Sequence, residues 1–141
     1  MINDGLSITG QLSIYKNGEL VRDINNLVVT AGKNWLADRM KQASSAVMSH
    51  MAVGTGTTAA AVGDTTLVTE LDRNALSSTT VSTNTVQYSG TWAAGDGTGA
   101  LTEAGIFNAS SAGTMLARTV FSVVNKGASD QVTITWTITV G

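Results

Sequence analysis

The sequence predicts an all-β protein: an antiparallel β-sandwich (jelly-roll-like) or barrel of about eight strands with one short α-helix. Three observations carry this. The stretch Val132 to Val140 reads Val-Thr-Ile-Thr-Trp-Thr-Ile-Thr-Val, a period of two that puts Val132, Ile134, Trp136, Ile138 and Val140 on one face and four threonines on the other. Comparable short runs, bounded by Gly, Asn and Ser, recur along the whole chain. Helical spacing occurs in one place only.

The final strand is the strongest element. All its residues are β-branched or aromatic. At roughly 1.5 to 3 kcal/mol for each buried apolar side chain, its five large groups represent on the order of 10 kcal/mol of gross burial. The threonine face suits either water or another subunit.

Taken in order, Leu6, Ile8, Leu12 and Ile14 alternate with Ser7, Thr9, Gln11 and Ser13. Asn17-Gly18 then gives the strongest short hairpin signal. The return strand runs from Glu19 to about Ile24, Asn25-Asn26 marks a turn, and Leu27-Val28-Val29 reads as a short buried strand. Thr30 fits an N-cap, and the spacing of Trp35, Leu36 and Met40 predicts a helix over about Ala31 to Gln42, with Trp35 and Met40 as packing anchors. After a break at Ser44-Ser45, Val47 to Val53 reads as a strand ending at Gly54-Thr55-Gly56-Thr57-Thr58. The next segment reads as an ordered loop in which Asp64 caps one helical turn over Thr65 to Val68. Arg73 to Val81 and Thr85 to Ala93 form two strands about Ser82-Thr83-Asn84, with Val86, Tyr88 and Trp92 on one face. Leu101 to Phe107 and Thr114 to Val124 form another pair about Ser110 to Gly113, and Asn125-Lys126-Gly127 turns into the last strand. The expected core is centred on Trp92, Phe107, Ile134, Trp136 and Ile138.

The 141 residues form one domain with no internal linker or repeat, large enough to bury a core unaided. There is no cysteine, so no disulfide framework, thiolate zinc site or thiol nucleophile. A net charge of -2 with scattered basic residues argues against nucleic acid. The N-terminus has no basic segment followed by an apolar run, and no stretch has the length of a membrane span, so neither a signal peptide nor a membrane is expected. Only 13% of residues are charged. A neutral, hydroxyl-rich surface suits one partly covered by other protein.

The residues give little support to an enzyme. His50 is the one histidine, with no second ligand at metal spacing. Gly54 and Gly56 lack the Gly-Lys-Ser/Thr of a phosphate loop. Gly95-Asp96-Gly97-Thr98-Gly99 offers one carboxylate, too few for calcium. Among the acids that could pair for glycoside hydrolysis, Asp64 serves better as a cap. Asp72 beside Arg73, and Glu103 within reach of Arg118, read as strand-end or cross-strand ion pairs. No catalytic residue, metal or cofactor is expected.

Two blocks carry a resemblance. Met51-Ala52-Val53-Gly54-Thr55-Gly56-Thr57-Thr58, then Asp64-Thr65-Thr66-Leu67 and Glu70-Leu71-Asp72-Arg73, resembles the Val-Gly-x-Gly and Thr-x-Leu-x-x-Glu-x-x-Arg block of tailed-bacteriophage structural proteins. Leu101 to Ala109, followed by Gly113 to Phe121, is similar to their Thr-Glu-x-Gly-Ile/Leu-Phe block. Together with the strand around Ile138 they cover about half the chain. Such blocks are seen in attachment domains of tail-collar fibres and in small proteins that cement or decorate capsids. The residues themselves suit scaffolding. Glycines set a sharp turn, Glu70 and Arg73 pair near a strand start, and Gly105 in a strand interior suggests a bulge or close backbone approach.

A fibre needs a shaft beyond its attachment domain, and none follows here. The resemblance therefore implies a capsid cement protein on the virion surface, assembled in the host bacterial cytoplasm. Its partners are the major capsid protein and itself, as homodimer or homotrimer. Asn17 and Gly18 in the hairpin, and Gly54, Thr55, Gly56, Thr57 and Thr58 in the loop, are the expected contact elements. A small tail, collar or fibre-adaptor subunit stays open. So does a carbohydrate-binding sandwich using Trp92, Tyr88 and Trp35 as a platform.

Overall fold

The computed structural model describes residues 5, 7–41 and 45–141. Leu6, Gln42 and Ser44, used above in a strand, a helix end and a break, lie outside them. Within the described residues the protein is all-β with one helix. Nine antiparallel strands form one curled sheet in the order β4-β3-β7-β8-β2-β1-β9-β6-β5. They are β1 (Ile8–Lys16), β2 (Glu19–Val28), β3 (His50–Gly54), β4 (Glu70–Ala75), β5 (Ser78–Ser82), β6 (Thr85–Trp92), β7 (Gly99–Phe107), β8 (Met115–Lys126) and β9 (Val132–Val140); helix α1 is Thr30–Lys41.

The sheet curls because apolar residues line one face of most strands and must bury it together. Leu12 and Ile14 of β1, Tyr88 and Trp92 of β6, Met51 and Val53 of β3, Ala104 and Ile106 of β7, and Ile134, Trp136 and Ile138 of β9 share one core cluster. Trp92, Trp136 and Ile134 are fully buried. β9 lies between β1 and β6, with Trp136 paired to Leu12 on one side and Tyr88 on the other. Across the core Met51 packs beside Gly90 of β6.

β2 joins the two halves of the sheet. From Glu19 to Asn26 it pairs with β1, and at Leu27 and Val28 it pairs with β8. The Asn25-Asn26 pair is therefore no turn. It lies inside the strand, where the partner changes, and the Asn26 side chain packs so close to Gly10 that a Cβ there would meet it at 1.9 Å.

Other expectations are corrected. Arg73 to Val81 is two strands separated by Leu76-Ser77: β4 forms one edge of the sheet and β5 the other. The alternation simply continues through the corner. The strand expected from Val47 begins at His50. No helical turn covers Thr65 to Val68. Thr30 is the first helical residue rather than the cap, and the Val29 carbonyl accepts the Lys33 amide. Met40 is no anchor, being 82% exposed, whereas Trp35 packs against the core and its indole N–H donates to the Ala46 carbonyl.

A second, smaller cluster lies on the opposite face of β3, β7 and β8. It comprises Val29, Ala52, Leu67, Phe107 and Met115. Strand alternation explains the split: Ala104 and Ile106 point to the main core, while Phe107 points away from it. The segment between β3 and β4 and the start of α1 cover this cluster. Gly32 lies so close to the sheet that a Cβ there would meet the Leu116 carbonyl oxygen at 2.2 Å.

A loop locked to the sheet: the candidate contact surface

The segment from Thr55 to Thr69, which connects β3 to β4, lies across β7 and β8 and reaches α1, where the Val62 carbonyl accepts the Thr30 amide. Its anchor is Glu103. Thr102 and Glu103, consecutive on β7 where its register with β8 shifts, both reach the loop. The Glu103 carboxylate is fully buried. Its Oε1 accepts the Gly56 amide at 3.0 Å and the Thr69 amide at 2.7 Å; its Oε2 accepts the Val68 amide at 3.0 Å. Thr102 donates to the Gly56 carbonyl at 2.8 Å.

Arg118, two residues along from the β8 position that pairs with Glu103, completes the lock. Its Nε and Nη2 donate to Glu103 Oε2 at 3.2 and 2.9 Å, its Nη1 to Asp64 Oδ2 at 2.8 Å, and its Nη2 also to the Thr58 carbonyl at 2.9 Å. Asp64 is thus no helix cap. Its Oδ2 holds the Ala61 amide and the Arg118 guanidinium. Gly54 and Gly56 are required by proximity. A Cβ on Gly56 would sit 2.5 Å from Glu103 Oε1, and one on Gly54 would sit 2.3 Å from the Thr69 carbonyl oxygen.

Burial alone pushes the Glu103 carboxyl up, but the bonds from Thr69, Val68, Arg118 and Gly56 outweigh it and hold the group below its ordinary value of 4.5. Both carboxylate oxygens are occupied and shielded from solvent, and the group ties the loop to the sheet.

A second clasp secures the other flank. Arg73 pairs with Glu70 at 2.6 Å, not with Asp72, and donates to the Ala109 and Ala112 carbonyls of the β7–β8 loop. Its guanidinium stacks 3.7 Å above the Phe107 ring. Phe107 is therefore a core residue of the smaller cluster, under a charged cover.

The locked loop presents Thr57, Thr58 and Ala59 to solvent, with Thr55 half-buried and Gly54 and Gly56 buried beneath. Between it and Asn25, Leu27 and Thr119 runs a shallow groove of about 470 Å³. Asn17 and Gly18 occupy a left-handed two-residue turn, with φ of 51° and 81°. The Asn17 side chain is used internally: Nδ2 donates to Asp130 and Oδ1 accepts the Gln131 amide, both at 2.9 Å. Hydrogen bonds from Asn17 and the Gly127 amide hold the Asp130 carboxyl below its ordinary value. The two expected contact elements are not brought together. The hairpin tip precedes the start of β2 and the groove borders its end, roughly 25 Å along the strand.

The remaining candidates have structural surroundings. His50 Nδ1 shares a hydrogen with Ser49 Oγ at 2.8 Å. Among the described residues no three His, Asp or Glu are grouped to hold a metal ion. Trp92 and Tyr88 are buried, and so form no exposed aromatic platform with Trp35. Asp64 and Thr102 were the loop anchors that sequence reasoning missed as such. The available signal was a carboxylate, Glu103, among apolar residues in a strand of a chain poor in charge.

Comparison with protein-family models, with curated proteins and with solved structures gives no match.

Proposed function

We propose that this chain is a structural subunit of a tailed-bacteriophage virion, a non-enzymatic cement protein that binds the assembled capsid shell and associates with itself. The observation that supports the reading is convergence. The residues of the two blocks that resemble phage virion proteins, Gly54, Gly56 and Asp64 in one and Glu103 and Arg118 in the other, meet in a single buried ion-paired lock. Its effect is to hold the exposed, uncharged tip of the loop, Thr57 to Ala59, rigid on a sheet. A preorganised loop loses little conformational entropy when a partner covers it. In this reading the major capsid protein is that partner, the loop tip Thr57-Thr58 touches it, and binding to the folded shell stabilises the shell by mass action against the pressure of packaged DNA.

The test is co-sedimentation of the purified protein with emptied, expanded shells. Binding stoichiometric with the major capsid protein, with a raised shell melting temperature, supports the cement role. Bare shells, together with low-copy recovery in purified tails, would replace it with a tail, collar or fibre-adaptor subunit.

A further inference from the structure

The two edges of the sheet are treated differently. β4 carries Glu70, Asp72 and Arg73, and Arg73 is clasped to the neighbouring loop. Charged side chains on an edge deter pairing with another chain. β5 has no such protection. Every residue from Ser78 to Ser82 is exposed, and among the described residues its only strand partner is β6. The sequence contains no charged residue between Arg73 and Asp96. Val81 is 70% exposed at the end of a row of paired positions that runs through Val86 to Ile138, so an apolar row of the sheet runs out into solvent.

We propose that β5 is the self-association edge of this protein, pairing antiparallel with β5 of a second copy about a two-fold axis at Thr80. An antiparallel ladder is self-complementary under such an axis, because the outward N–H and C=O groups of one edge meet the same pattern reversed. With Thr80 opposite its own symmetry mate, Thr79 faces Val81 and Ser78 faces Ser82. Each pair matches like with like: hydroxyl with hydroxyl, or threonine methyl with valine. Charge selects this occupant. Copies that each carry a net charge of -2 repel one another, and the β5–β6 hairpin is where two of them meet without any charged side chain in contact. The pairing carries the sheet, and the exposed apolar row, across the axis. The inference deepens the self-association part of the proposed function and does not depend on the shell.

The test uses the full chain without shells, in sedimentation equilibrium. Thr80→Lys and Thr80→Glu, each placing like charges face to face on the axis, are expected to sediment as monomers that keep the folded circular-dichroism spectrum, and their equimolar mixture as a dimer. The chain has no cysteine, so Thr80→Cys reports directly: under mild oxidation it should form a covalent dimer at least tenfold faster than Ser111→Cys in the exposed β7–β8 loop. A Thr80→Lys variant that dimerises like the unaltered protein, or a Thr80→Cys that couples no faster than Ser111→Cys, overturns the proposal. If the unaltered chain is monomeric yet coats shells, the two-fold pairing is wrong while the cement reading stands. If it dimerises by the charge rule yet leaves shells bare, the reverse holds.

Discussion

Replacing Glu103 with Gln keeps shape and removes charge, which makes it the sharpest probe of the loop lock. The carbonyl of the glutamine can take the place of Oε1 and keep the Gly56 and Thr69 amides. Its NH2 then stands where Oε2 accepted the Val68 amide and two Arg118 donors, so donors face donors. Arg118, 1% exposed, is left with Asp64 and the Thr58 carbonyl. Removing one partner of a buried pair costs about 3–5 kcal/mol. For a domain of this size each 1 kcal/mol lowers Tm by roughly 3 °C, giving a loss of roughly 10–15 °C. Circular-dichroism melts at neutral pH measure this, and amide hydrogen exchange at Val68 should accelerate ahead of global unfolding. Replacing both partners, Glu103→Leu with Arg118→Met, should cost more than Glu103→Gln alone, since the Gly56, Val68 and Thr69 amides all lose their acceptor and Asp64 loses its cation. A Tm loss under about 3 °C for Glu103→Gln would refute the view that the buried pair holds the loop.

Three further outcomes follow from the geometry. Because the folded-state value of Glu103 is lowered, its ionised form contributes stability that is fully present above the ordinary 4.5 and is lost as pH falls through the folded value; the urea midpoints of the native protein and Glu103→Gln should therefore stay apart above 4.5 and converge as pH falls below it. Gly32→Ala drives a methyl into the Leu116 carbonyl and should cost about 1–3 kcal/mol in urea titrations as α1 is pushed off the sheet. Asn17→Ala, which places a residue without a helpful side chain at φ 51°, should cost about 1–2 kcal/mol from the left-handed backbone alone, whereas Asn17→Gly should recover most of it.

Local pattern was legible where one rule acted alone. The alternation of β9, the Asn17-Gly18 turn and the β7–β8 pair were readable because period and turn chemistry agreed. The helix was readable from spacing, but the same spacing misassigned Met40, which lies on the outward side of α1 while Gly32 and Trp35 pack inward. The corner at Leu76-Ser77 was hidden, as alternating Ser and Thr suit a strand on either side of it. Asn25-Asn26 mimicked a turn because a change of strand partner tolerates the polar residues that a turn prefers. Glu103 and Arg118 could be suspected as a cross-strand pair. That Asp64 and three loop amides converge on them could not, because those contacts join segments 34 to 54 residues apart.

The position of β9 between β1 and β6 sets an order on biosynthesis. Among the described residues, apart from their own hairpin partners β2 and β5, these two strands pair only with β9, the most C-terminal of the nine. At about 5–20 residues per second, the β1–β2 hairpin waits on the order of ten seconds on the ribosome with Leu12 and Ile14 uncovered by β9. The β3, β7 and β8 half, with its locked loop, is complete by Lys126 and can form while the other half waits. Nascent chains should therefore be most prone to mispairing just before Val132 emerges, and slow translation of the final strand would lengthen that interval.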